Sequence, residues 1–91
     1  MTDSNPVLVA EIFDAAKCRR AVRNLRPKPG ERFVELLDGP LAGERLSVEP
    51  HAAVGAIVGV TQLTRLGVIE ANYRKQPNGE WRFDGLKAVG W

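Results

Sequence analysis

The chain has 91 residues, 26% of them charged and 44% hydrophobic, which is enough for one small domain with a single core and no second lobe. One cysteine, Cys18, and one histidine, His51, exclude a disulfide framework and a zinc site of ordinary ligand count. The formal net charge of +2 hides a division. Lys17, Arg19, Arg20, Arg23, Arg26 and Lys28 lie between Ala15 and Gly30 with no acidic residue among them, and the rest of the chain carries −4.

Leu8, Ile12, Ala15, Cys18, Val22 and Leu25 recur every three or four residues and predict one amphipathic helix over 6–26. Asn5 is its expected N-cap, and Pro6 its first residue, where a missing N–H costs nothing. Glu11 and Asp14 precede the arginines, the order that the helix dipole favours. Pro27, Pro29 and Gly30 then stop the helix.

A β-rich body is expected over 32–87. Val34 and Leu36 alternate with their neighbours, Asp38-Gly-Pro-Leu-Ala-Gly43 supplies turn chemistry, and Leu46 and Val48 resume the alternation, so this stretch predicts a hairpin. A second hairpin is predicted from Val68–Lys75, Pro77-Asn78-Gly79 and Glu80–Leu86. Between them, Pro50–Leu66 reads two ways. As a helix it aligns Ala53, Ile57, Val60 and Leu63; as a strand it is rich in Val, Ile and Thr, and Gly55 and Gly59 favour the strand. The expected class is therefore α+β: an N-terminal amphipathic helix packed on a four- to five-stranded antiparallel meander or small partly open barrel. Its expected core is Leu8, Ile12, Val22, Val34, Leu36, Leu46, Val48, Ile57, Ile69, Tyr73, Trp81 and Phe83.

Catalytic chemistry has little support. No Ser or Cys occupies a nucleophile context, Gly39-Pro-Leu-Ala-Gly43 lacks the Lys-Ser/Thr of a phosphate loop, and no metal or cofactor site is expected. Cys18 falls on the apolar stripe and reads as a buried small hydrophobe. Glu35, Glu44 and Asp84 are carboxylates on predicted strands, where they are commonplace. Tyr73, Trp81 and Phe83, interleaved with Arg74, Lys75 and Arg82, read as core rather than as a stacking platform.

From Glu35-Leu-Leu-Asp-Gly-Pro-Leu-Ala-Gly43, Tyr73-Arg and Asn78-Gly-Glu-Trp-Arg-Phe83, the chain over about 33–85 resembles short uncharacterised proteins of bacteria and their phages. These carry a DGPxxG turn and a late Tyr…GxWRF strand pair. The resemblance implies a small β-meander and a phage or mobile-element context, and it brings no activity with it. With Pro50–Leu66 read as a helix, Val60–Ile69 and the final hairpin also resemble a winged-helix ending.

The arginines border the apolar stripe of the predicted helix, so Arg19, Arg20, Arg23, Arg26 and Lys28 are the expected partner-binding residues, with Trp91 a possible aromatic contact. The expected function is a non-enzymatic protein-binding module, an adaptor, inhibitor or assembly protein, docking through its basic helix on an acidic protein surface. The alternative is a nucleic-acid-binding regulator placing the same arginines on phosphates. A third reading pairs them internally, with Glu35, Glu44, Glu49 or Asp84. The longest apolar run, Ala52–Val60, falls far short of the roughly twenty residues of a bilayer span. No secretory signal or membrane partner is expected, and the setting is taken as cytoplasmic. Homo-oligomers through sheet edges are possible, with Arg45 and Lys87 the residues placed to guard an edge.

Overall fold

The structure, a computed structural model, describes residues 6–90, so the expected Asn5 cap and the Trp91 contact lie outside the described residues. It is α+β: α1 (Pro6–Ile12), α2 (Ala15–Arg23), β1 (Arg32–Glu35), β2 (Arg45–Val48), β3 (Ile57–Thr64), β4 (Gly67–Lys75) and β5 (Trp81–Ala88). No helix among the described residues is long and apolar enough to cross a membrane.

The single helix expected over 6–26 is instead two short ones. Asp14 breaks it. Its backbone is extended (φ −98°, ψ 96°), and its carboxylate accepts the Lys17 N–H at 3.0 Å, capping α2. A short acidic side chain competes for nearby backbone donors and so favours a cap over a helix interior. The buried side-chain amide of Gln62 on β3 completes the joint, accepting the Asp14 N–H and donating to the Asp14 carbonyl, each at 2.9 Å. Helix α2 ends at Arg23, before the predicted limit, where the Asn24 N–H donates to the Ala21 carbonyl and the Leu25 N–H to the Val22 carbonyl, tightening the last turn. Leu25, expected on the buried stripe, is half exposed.

The strands form two sheets, not one meander or barrel. β1 and β2 pair antiparallel, and β3, β4 and β5 form a three-stranded antiparallel sheet in that order. The chain between β2 and β3 does not continue the ladder: Pro50–Ala56 is spent on turns. Residues 57–64 are strand, which removes the helical reading of 50–66 and with it the winged-helix resemblance. Gly59 suits this strand because the side chains of Glu70 and Asn72 lie across it; a Cβ there would stand 2.7 Å from Glu70.

Alternation along β3 decides one burial that the sequence reading misplaced. Val58, Val60 and Gln62 face the core side, and Ile57, Gly59, Thr61 and Leu63 face outward, leaving Ile57 exposed. Of the other expected core residues, Val22, Leu36, Leu46, Val48, Ile69, Tyr73 and Trp81 are buried, and Leu8, Ile12, Val34 and Phe83 are half-buried. Val9, Leu41 and Ala71 join them.

The two sheets meet at the turn Asp38-Gly-Pro-Leu41. The fully buried Tyr73 hydroxyl donates to the Asp38 carbonyl (2.8 Å) and accepts the Leu41 N–H (3.0 Å). The Asp38 carboxylate accepts the Phe83 N–H at 2.6 Å, and Leu36 bridges to Trp81. Gly39 sits under the Phe83 ring at φ +72°, and a Cβ there would lie 2.5 Å from the ring. Tyr73→Phe orphans the Leu41 N–H and the Asp38 carbonyl and is expected to lower stability by about 1–3 kcal/mol, read as a fall in the urea midpoint at unchanged slope. Gly39→Ala combines a left-handed backbone with that clash, and a thermal melt should show it destabilised as well.

Candidate functional site at the C-terminal end of helix α2

Helix α2 buries Cys18 and Val22, and its successive arginines therefore fan out to different surroundings. Arg19 and Arg23 lie on the flank facing Glu44, which follows the Asp38–Gly43 turn. Arg19 Nη1 reaches Glu44 Oε2 at 3.0 Å, while Arg23 donates through Nε to Oε1 (3.0 Å) and through Nη2 to Oε2 (2.6 Å). The Glu44 side chain is only 8% exposed. A buried carboxylate needs this compensation, and two guanidiniums saturate both its oxygens. Arg19 and Arg23 are thus engaged within the fold, as the internal-pairing reading expected for Glu44. Asp84 pairs with Arg74 instead, and Glu35 is exposed with no ion pair among the described residues.

The other cations of the segment are differently placed. Arg20 lies on the exposed side of α2, and Arg26 and Lys28 follow the helix in the exposed, irregular stretch before β1. Among the described residues none of these three makes an ion pair. Arg26 contributes to a shallow concavity of about 390 Å³ formed where the end of α2 passes over the β1–β2 hairpin. Its walls are Arg23, Asn24, Arg26 and Arg45; Leu25, Pro27 and Phe33 supply the apolar surface. A smaller hollow of about 160 Å³ adjoins it, sharing Arg23, Leu25, Phe33 and Arg45 and reaching Glu44.

Arg45 is the residue that the sequence reading missed as a site residue. It stands opposite Glu35 in the ladder, yet its guanidinium lies 5.3 Å from the Phe33 ring centre, a diagonal cation–π contact. It makes no ion pair among the described residues. The only advance signal was hairpin alternation, which puts Phe33 and Arg45 on one face only once the register is known. The concavity therefore combines three guanidiniums with half-exposed Leu25 and has no carboxylate in its lining. Chemically, guanidiniums beside apolar side chains suit a planar or tetrahedral oxyanion attached to something apolar.

A larger hollow lies elsewhere, about 770 Å³ beside the α1–α2 joint. Its lining mixes Glu11 and Asp14 with Lys17 and Arg65, so it presents no field of one sign. Burial, and the nearby Asp14 charge, push the Cys18 thiol pKa up, which keeps it protonated and unreactive at neutral pH. Tyr73 and Trp81 are buried, and Tyr73 packs on Phe83 with ring centres 5.5 Å apart, so these rings are core. No cluster of three or more metal-ligating side chains occurs among the described residues. Compared with family models, curated proteins and solved structures, the chain finds no match.

The hydrogen bond from Arg23, reinforced by Arg19 against the opposing effect of burial, holds the Glu44 carboxyl below the usual glutamate range. A carboxyl depressed in the folded state adds stability above its unfolded pKa and loses that contribution as pH falls through the folded value. Glu44→Gln is accordingly expected to melt below wild type near neutrality, with the difference shrinking as pH drops below about 4.3. Thermal melts across that range check it.

Proposed function

We propose that this protein is a non-enzymatic binding module that captures an acidic, partly apolar segment of another protein in the concavity between α2 and the β1–β2 hairpin. The carrying observation is the lining itself: Arg23, Arg26 and Arg45 around Leu25, Pro27 and Phe33, with no carboxylate. Arginine combines a bidentate fork for carboxylates with a weakly hydrated, stackable plane, which is why it is enriched at interface hot spots. Arg23 is partly spent on Glu44. Arg26 and Arg45 therefore carry the recognition, and Arg19 and Arg23 serve to hold the helix end in place. Arg20 and Lys28 add long-range attraction without lining the concavity.

Nucleic acid would meet the same guanidiniums through phosphate. The one ring in the lining, Phe33, has Arg45 over its face, so a base gains no open platform there. The apolar residues beside it suit a leucine or phenylalanine flanked by carboxylates better than a sugar-phosphate chain.

The test is fluorescence anisotropy with labelled peptides that alternate Asp or Glu with Leu or Phe, beside duplex and single-stranded oligonucleotides of equal charge. Binding of the acidic-apolar peptide is expected, and Arg26→Ala with Arg45→Ala should weaken it tenfold or more, about 1.4 kcal/mol per factor of ten. Arg20→Ala should change it little. Binding of oligonucleotide alone, falling steeply with salt, would replace this reading by the nucleic-acid one.

A further inference from the structure

We propose that β3 is a self-pairing edge, through which two copies of this chain join by antiparallel β3–β3 pairing about a two-fold axis into one continuous six-stranded sheet. Strand β3 has a neighbour on one side only, β4. Among the described residues no backbone hydrogen bond from elsewhere in the fold reaches residues 57–64. Half of its N–H and C=O groups therefore point outward unused, a template for another strand.

The other edges are guarded and β3 is not. Strand β5 carries Arg82, Asp84 and Lys87, has an irregular register opposite Asn72/Tyr73, and takes a bridge from Leu36 onto Trp81. Strands β1 and β2 are four residues each and bear Arg32, Glu35 and Arg45. Strand β3 is eight residues long with unbroken register to β4, and no charged residue or proline occurs from Ala52 to Thr64. Its outward side chains include Ile57 at 49% and Leu63 at 75% exposure, the latter the most exposed large hydrophobic residue among those described.

Charge and register together select a second copy as the occupant. The strand itself brings no charge to be desolvated when an identical edge arrives, and the charges beside it, Lys17, Arg65 and the Glu70 that lies across Gly59, are of both signs, so the edge favours neither an acidic nor a basic strand over its own copy. A two-fold axis through Val60 sets Val60 opposite Val60, Gly59 opposite Thr61, and Ile57 opposite Leu63 of the other copy. That register pairs the two exposed apolar side chains of one copy directly with those of the next, twice over, as an isologous contact requires.

Sedimentation velocity from micromolar to submillimolar protein is expected to show a species of twice the 10.0 kDa chain mass. Ile57→Lys with Leu63→Lys should give the single-chain mass with an unchanged far-ultraviolet circular dichroism spectrum. A wild-type chain that stays monomeric throughout, or a folded lysine variant that still dimerises, overturns the proposal. Register is read independently of that variant. Ile57→Cys mixed with Leu63→Cys should cross-link as the heterodimer, and neither should cross-link efficiently alone. Equal cross-linking of Leu63→Cys with itself would overturn the proposed pairing.

Discussion

One buried hydroxyl organises this molecule. Tyr73 comes from the middle strand of the larger sheet, and both of its hydrogen-bond partners are backbone groups of the turn that closes the smaller hairpin. A buried phenol must find such partners, and here they exist only when the two sheets dock in one orientation. The candidate site follows from that docking. The turn leads directly into Glu44; Glu44 grips Arg19 and Arg23; and those arginines fix how the end of α2 lies across the hairpin. The concavity is the space left between the helix end and the hairpin.

This gives the charge division of the sequence a structural meaning. Two arginines are consumed in neutralising a carboxylate that is otherwise costly to bury. Arg20 stays on the exposed side of α2, and the early end of the helix leaves Arg26 and Lys28 at the surface in the irregular stretch before β1. Positive charge thus continues past the helix terminus as well as along the exposed side of the helix, and Arg45 adds to it from a strand distant in sequence.

Much of this was legible in the sequence. The final hairpin, with Ile69, Ala71 and Tyr73 on one face, follows from period-two alternation and the Pro-Asn-Gly turn, because both are local. The strand character of 57–64 followed from β-branched residues and glycines. What escaped were features that depend on distant partners. The helix break needs Gln62, Arg45 is drawn into the site by hairpin register, and the split into two sheets reflects turns spent over Pro50–Ala56. Ile57 was misplaced by one step of alternation, which in a strand exchanges inside for outside. The pairing of arginines with Glu44 was one option among four carboxylates, and only the position of the Asp38–Gly43 turn selects it.

The joint between the two helices is specified from 48 residues away. Gln62 binds the peptide group of Asp14 at both its N–H and its carbonyl, and it does so without regard to which side chain position 14 carries. Tolerance to substitution should therefore be lopsided. Position 14 accepts any good N-cap, whereas shortening position 62 by one methylene breaks two bonds at once. The segments on either side of the joint both have helical pattern, so the bend in this chain is an instruction held by the strand, and α1 owes its place against β5 to a residue it does not contain.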